Sequence, residues 1–292
     1  MGVGINATHR FFAPAKLNLF LHVVGRREDG YHLLQSVFRF INFGDTVQLQ
    51  LRDDGCIDRV GDIPGVPEDL DLTLRAAHLL QPFAHQGAGV SIQIDKRLPL
   101  GGGLGGGSSD AATVFLALNR LWDVNFSRQR LQELALSLGA DVPVFVFGQS
   151  AWAEGVGERL SRVELPPAWY VVLMPPVHIA TAMVFAAPEL TRNTPALTIA
   201  PFSASGQGSG TVRLHNDLQP VVVQRYPQVA QYLAWLGSYA EARMTGSGAC
   251  VFAAFDSEDA ANRVLRDLPD EMQGFMAQGL DRHPLFEYCD EK

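Results

Sequence analysis

Residues Pro99 to Ala112 read PLGGGLGGGSSDAA. Six of the seven residues from Gly101 to Gly107 are glycine, and Ser108 and Ser109 come next, before a patterned apolar run. Glycine loses the most backbone entropy on folding, so a cluster this dense needs a reason. One reason is a loop whose N–H groups approach a bulky anion seated at the N-terminus of the next helix, as a polyphosphate would be. The other is a flexible Gly/Ser connector. The residues downstream favour the anion loop: Ala111, Val114, Phe115, Leu118, Leu121 and Trp122 recur at helical spacing, with Ser108, Ser109 and Asp110 expected to cap the start. Just upstream, Val90, Ile92 and Ile94 alternate with polar residues as in a half-buried strand. The order is strand, glycine loop, helix.

Neither common nucleotide fingerprint is complete. Gly101, Gly103 and Gly106 satisfy G-x-G-x-x-G, but so glycine-rich a stretch matches many patterns, and no acidic strand end follows about 20 residues on. Gly107 stands where a Walker loop needs lysine. A phosphate site of neither type is expected.

The 292 residues suffice for a large core in two lobes or one large α/β unit, and 47% hydrophobic with 18% charged residues is ordinary for a globular protein. A net charge of −8 argues against nonspecific nucleic-acid binding. Three cysteines without metal-type spacing suit a reduced compartment. Lys16 and Asn18 interrupt the N-terminal apolar stretch, and no run approaches membrane-spanning length. A soluble cytoplasmic protein with no nucleic-acid or membrane partner is expected.

Working outward, 11–24 read as strand, and 38–43 and 46–51 as two strands around an Asn42–Asp45 turn. Residues 56–69 read as loop and 72–83 as a helix stopped near Pro82. A helix over 128–138 is expected to end on Gly139. Residues 154–158 form a hinge candidate, 169–174 and 250–255 read as strands, and 221–234 and 257–268 as helices. Ser203 to Gly210 is low complexity.

Three segments taken together, Pro14-Ala15-Lys16-Leu17-Asn18-Leu19, PLGGGLGGGSS and Met244-Thr245-Gly246-Ser247-Gly248-Ala249-Cys250, resemble the ordered motifs of the GHMP kinase superfamily, which phosphorylates small molecules with ATP. Glu28-Asp29-Gly30-Tyr31-His32, Leu138-Gly139-Ala140-Asp141-Val142-Pro143 and Ala153-Glu154-Gly155-Val156-Gly157-Glu158 resemble those members that act on a cytidyl diphosphate. The resemblance runs from about Ala13 to His283. It implies a two-lobed α+β fold, with a first lobe like ribosomal protein S5 domain 2 and the active site in the cleft. The lobes would be 1–157, carrying the phosphate loop, and 158–292, with the last residues packing back on the first lobe. The reaction implied moves the γ-phosphoryl of ATP, with Mg²⁺, to the 2-hydroxyl of 4-diphosphocytidyl-2-C-methyl-D-erythritol in the non-mevalonate route to isoprenoid precursors.

By the same resemblance Asp141 is the base and Lys16 its cationic partner. Leu72, Lys96, Pro99, Gly101, Gly102, Gly103, Leu104, Gly105, Gly106, Gly107, Ser108 and Ser109 would bind ATP. Tyr31 and Phe185 would sandwich the cytosine, His32 would read its hydrogen-bonding edge, and Asn18, Val156, Gly246 and Ser247 would contact the same substrate. From local sequence alone Asp141 could equally cap a short helix, Lys16 sit on a strand edge, Tyr31-His32 form a turn and Phe185 belong to the core. One departure is Asp71, standing where the family commonly has asparagine beside the adenine, because a carboxylate cannot donate as an amide does. Metal ligands and oligomeric state (monomer or weak dimer) are left open. The alternatives are a GHMP kinase for homoserine or mevalonate-type alcohols, which offer no base to stack, and a silent nucleotide-binding paralogue, which would lack Lys16 or Asp141.

Overall fold

Two very long antiparallel strands, β1 (Thr8–Arg26) and β2 (His32–Arg52), carry the rest of the sheet. The computed structural model describes residues 8–198 and 214–289, so the Ser203–Gly210 stretch lies outside the described residues. β2 pairs with β1, with β4 (Gly89–Asp95), with β5 (Ala151–Glu154) and with β10 (Gly274–Leu280). The sheet order is β3 (Ile57–Arg59), β4, β2, β10, β7 (Trp169–Leu173), β9 (Val251–Phe255) and β8 (Arg243–Met244), with β6 (Arg159–Arg162) beside β5.

One apolar core lies between this sheet and α1 (Leu72–Leu80), α2 (Gly106–Leu121), α3 (Arg128–Ala135) and α4 (Val142–Phe147), with Phe40, Phe115, Trp122 and Phe145 at its centre. A second is built by β7, β9, α5 (Thr181–Phe185), α6 (Gln219–Arg225), α7 (Pro227–Gly237) and α8 (Glu258–Arg266). β1 contributes to both, Phe11 and Ala13 to the first and Leu21 and Val23 to the second. Leu285 and Cys289 pack in the first. Among the described residues no helix is long and apolar enough to cross a membrane.

Several local expectations are corrected. The Asn42–Asp45 segment is not a turn: β2 runs through it, and the register jumps from Gly44 opposite Pro14 to Ile41 opposite Ala15. A bulge lets the strand continue while bending, and Gly44 is needed because a Cβ there would meet the Ala13 carbonyl oxygen at 2.0 Å. The 56–69 loop contains β3, parallel to β4. α1 stops at Leu80, and Pro82 sits in a following 3₁₀ turn. α3 ends at Ala135, so Gly139 is not its cap. The 154–158 hinge is the tight turn of the β5–β6 hairpin, held by Val156 N–H donating to Glu158 Oε2 at 2.6 Å. The helix expected over 221–234 is two helices, parted where Pro227 opens α7.

Candidate active site

The glycine loop is held from both sides. Lys16 N–H donates to Leu104 O and Cys250 N–H to Gly102 O, at 3.0 and 3.1 Å. The Thr245 hydroxyl accepts from Asn18 N–H at 2.9 Å and donates to Gly103 O at 3.3 Å. Thus the three motifs meet at one hydroxyl. Gly103 has φ +76°, and a Cβ on it would lie 2.2 Å from Thr245 O. Asn216 secures the C-terminal loop, donating from Nδ2 to both Met244 O and Gly246 O at 2.8 Å.

α2 opens without a side-chain cap, on a left-handed Gly105. Two of the three expected capping residues are used elsewhere. Ser109, fully buried, donates its hydroxyl to Pro14 O at 2.6 Å, and Asp110 bonds Lys96 Nζ at 2.8 Å. The first-turn N–H groups therefore face outward with nothing from these side chains across them, as an anion site requires. Lys96 also bonds Asp45 at 2.5 Å. Burial works against its charge, but Asp110 and Asp45 outweigh that and hold its pKa above the ordinary value. Burial pushes the Asp110 carboxyl up, with Lys96 pulling against it and Asp45 adding to the push.

Lys16, almost completely buried, lies 3.2 Å from Asp141 Oδ2 and donates to Asn18 Oδ1 at 2.5 Å. Asn18 Nδ2 in turn donates to Ser36 Oγ, and Ser36 to Phe20 O. Asp141 precedes α4 but makes no side-chain cap, so its carboxylate remains available to the cleft, 40% exposed. No described residue bonds its second oxygen.

Every residue expected from the sequence to act in the site lines one cleft of about 840 Å³, except Leu104 and Ser109, which are buried behind it. That is near the upper end of small-molecule sites, enough for more than one ligand. The glycine loop, Leu72 and Lys96 lie on its wall, and so do Tyr31, His32, Val156 and Phe185. Tyr31 is well exposed, while the rings of His32 and Phe185 stand 5.1 Å apart, tilted by 32°. Burial first, then Arg192 and Arg26, holds the His32 imidazole below its ordinary pKa. Gly246 and Ser247 reach the cleft from the C-terminal loop, where Ser247 Oγ is 2.7 Å from Thr181 Oγ1. Asp71 does not reach it: its buried carboxylate accepts from Thr73 N–H at 2.8 Å, capping α1, and from Arg59 at 3.1 Å. An aspartate serves that cap as well as an asparagine.

Sequence reading missed Ser36, Asn216, Thr245 and the two carboxylates that hold Lys96 (Asp45 and Asp110) as parts of the site. The polar run His215-Asn216-Asp217 between apolar residues is the one available signal for Asn216.

Residues 71–149 match the family described as the GHMP kinases N terminal domain, and residues 203–274 match the GHMP kinases C terminal family. A Thiobacillus denitrificans protein named 4-diphosphocytidyl-2-C-methyl-D-erythritol kinase is 72% identical over 281 residues, covering 96% of this chain and 99% of the relative. One of the same name from Nitrosospira multiformis is 57% identical over 282 residues, covering 96% and 94%. A crystal structure of 4-(cytidine 5'-diphospho)-2C-methyl-D-erythritol kinase aligns with TM-score 0.79 at 34% identity, over 93% of this chain and 99% of that one. A homoserine kinase from Cytophaga hutchinsonii shares the fold, with TM-score 0.67 at 17% identity over 97% and 98%.

Proposed function

The chain belongs to the GHMP kinases, and from that premise we propose that it phosphorylates 4-diphosphocytidyl-2-C-methyl-D-erythritol on its 2-hydroxyl, giving the 2-phosphate and ADP in the non-mevalonate route to isoprenoid precursors. The observation that carries the reading is the Lys16–Asp141 pair at 3.2 Å in a cleft walled by the glycine loop on one part and by His32 and Phe185 on another.

Phosphoryl transfer is mostly positioning and charge neutralisation. The triphosphate of ATP seats against the N–H groups of the Gly101–Gly107 loop and the first turn of α2, where the helix dipole favours negative charge. Lys96, held beside that turn by Asp45 and Asp110, adds a cation to the same wall. The substrate hydroxyl lies at Asp141. As its oxygen bonds the γ-phosphorus, its proton passes to the Asp141 carboxylate, and the bond to the β-phosphate oxygen breaks with its electron pair leaving on ADP. Such positioned proton transfer is typically worth about 10²–10⁴ in rate. Lys16, oriented by Asn18 and Ser36, pairs with Asp141 at 3.2 Å and stands beside the charge that develops.

Among the described residues no cluster of three or more His, Cys, Asp or Glu could hold a metal. Mg²⁺ carried on a triphosphate needs only one or two protein oxygens and keeps several waters, so the cleft fits it without such a cluster. Ser108, at the first turn of α2, is the group that would hold it, together with the triphosphate and waters, which leaves the Asp141 carboxylate to the substrate proton. Its contribution would be to neutralise charge on the β- and γ-phosphates.

The cytidyl end binds at the other part of the cleft, between Tyr31 and Phe185. Stacking of a base on an aromatic is worth about 1–3 kcal/mol, binding energy remote from the reacting hydroxyl. The test is ADP formation by the purified protein with 4-diphosphocytidyl-2-C-methyl-D-erythritol, homoserine and mevalonate as acceptors. Turnover of the cytidyl compound alone is expected; turnover of homoserine or mevalonate in its place would overturn the assignment.

A further inference from the structure

Arg192 lies outside every motif, yet its side chain ties together the two rings on the cleft wall. Its Nε–H points at His32 Nε2 at 3.1 Å. One terminal nitrogen donates to Phe185 O at 3.1 Å and Ala187 O at 2.7 Å, and the other donates to Leu190 O at 3.0 Å. Four of the five guanidinium N–H groups are thereby committed, three of them to the last residue of α5 and the backbone that follows it.

A guanidinium has no acceptor and does not lose its proton in a protein, so the atom receiving its Nε–H must offer a lone pair. His32 Nε2 is therefore bare, and a neutral imidazole with a bare Nε2 carries its hydrogen on Nδ1. No described residue bonds Nδ1, and His32 lines the cleft. The same cation opposes a second proton on the ring. The consequence for a bound base is direct. Cytosine presents an unprotonated N3 and its O2 as acceptors, whereas uracil carries hydrogen on N3. An imidazole locked as a donor at Nδ1 complements the first and meets a second donor in the other.

We propose that Arg192 is a positioning residue for base selection: it locks His32 as the Nδ1–H tautomer, fixes the backbone behind Phe185, and so sets the cleft for cytosine over uracil. The inference rests on the cytidyl-substrate reading for its consequence, but not for the tautomer itself.

Two measurements test it. In the whole wild-type protein labelled with ¹⁵N-histidine, long-range ¹H–¹⁵N correlation reports the hydrogen on each ring nitrogen, with His32 assigned by the signals lost in His32→Gln. An Nδ1–H, bare-Nε2 ring at neutral pH is expected without any substrate; an Nε2–H ring or an imidazolium overturns the proposal. The second compares kcat/KM for the cytidyl substrate and its uridyl analogue in wild type and Arg192→Met. Discrimination should fall by about tenfold, the worth of one neutral hydrogen bond at ~1.4 kcal/mol per decade, through KM for the cytidyl compound, with KM for ATP and kcat within about twofold. Unchanged discrimination refutes the proposal. If the variant does not fold, the wild-type spectrum still decides. If wild type shows the expected tautomer but does not turn over the cytidyl compound, the functional reading fails and the tautomer lock stands.

Discussion

Gly107 separates what the fold needs from what a ligand needs. A Cβ built on it meets no atom within 4 Å, its φ lies outside the left-handed region, and it is exposed in the first turn of α2. Nothing in the protein therefore requires glycine there. Gly107→Ala removes unfolded-state entropy at a helical position and should stabilise the unliganded protein by about 0.5–1 kcal/mol. For a chain of this size that is a rise in Tm of roughly 1–3 °C. If the triphosphate lies against the Gly107 N–H, the added methyl crowds an oxygen held at about 3 Å from that nitrogen. Loss or lengthening of one such hydrogen bond to a charged group costs about 1.5–3 kcal/mol. At ~1.4 kcal/mol per decade that raises KM for ATP by roughly 10- to 100-fold. The assay is a thermal melt with and without saturating ATP, followed by KM for ATP and for the second substrate. The variant should melt higher alone and gain less from ATP, with the other KM little changed. An unchanged KM for ATP would refute the seating of phosphate on this turn, and a lower Tm without ligand would refute the open space around Gly107.

Asp141→Asn should fold and bind ATP, because the carboxylate is partly exposed and caps nothing, while kcat falls by about 10²–10⁴; near-wild-type kcat would remove it from the base role. Gly103→Ala should do the reverse of Gly107→Ala. Its left-handed φ costs about 1–2 kcal/mol with a side chain, and overpacking against Thr245 O a further 1–3 kcal/mol, read as a lower denaturant midpoint; unaltered stability would contradict the geometry of the junction. Burial, with His215 nearby, lowers His22 to about 4, and burial with Arg128 nearby lowers His283 to about 3, so both stay neutral in the folded state. Their contribution is complete above the unfolded value near 6.5 and is lost as pH falls from there toward 4 and 3. Below pH 6 each histidine should cost up to about 1.4 kcal/mol per pH unit, measured by denaturant unfolding, and His283→Gln should flatten that acid limb by one proton; a limb of unchanged slope would refute the assignment.

Periodic segments were legible in the sequence because their burial is local. The strand before the glycine loop, the face of α2, and the strands at 169–173 and 251–255 follow from which residues alternate or recur. The glycine loop itself was legible because it opens directly onto a patterned apolar helix, which a flexible connector does not. Asn42 to Asp45 misled, since a bulge and a turn draw on the same residues, and only the partner strand, with Pro14 lacking an N–H, decides between them. Ser109 misled for a related reason. A serine at a helix start is drawn to the nearest unpaired backbone group, and here that is the carbonyl of Pro14, across 95 residues of chain. Arg192 was not legible, and Asn216 only as a member of a polar run, because their roles are defined by groups far away in sequence.

Those distant partners converge where β1 stops being a regular strand. After Asn18 its register with β2 breaks, resuming at Leu21. A broken ladder inside a protein leaves backbone N–H groups that must be bonded by something else. Asn18 N–H goes to the Thr245 hydroxyl, Leu21 N–H to His215 O, and Val23 N–H to the Asp217 carboxylate. Each acceptor comes from the 215–217 or 244–246 loop, and Asn216 binds those two loops to each other. Among the described residues no strand pairs the other edge of β1, so alternate donors face away from β2 in any case, and the C-terminal loops attach to that edge of the strand bearing Lys16 and Asn18. The break after Asn18 decides that Leu21 and Val23, rather than their neighbours, are the residues that face the loops. Removing the Thr245 hydroxyl should expose the difference. Thr245→Val keeps the shape but leaves Asn18 N–H buried without an acceptor, a cost of about 1–3 kcal/mol. Asn18 also accepts from Lys16 Nζ, so the variant should lose kcat as well as stability. Restoring the hydroxyl with Thr245→Ser should recover kcat ahead of stability, because serine returns the hydrogen bonds but not the buried methyl. Recovery of stability without kcat would mean that the junction only packs the loops and does not set Lys16.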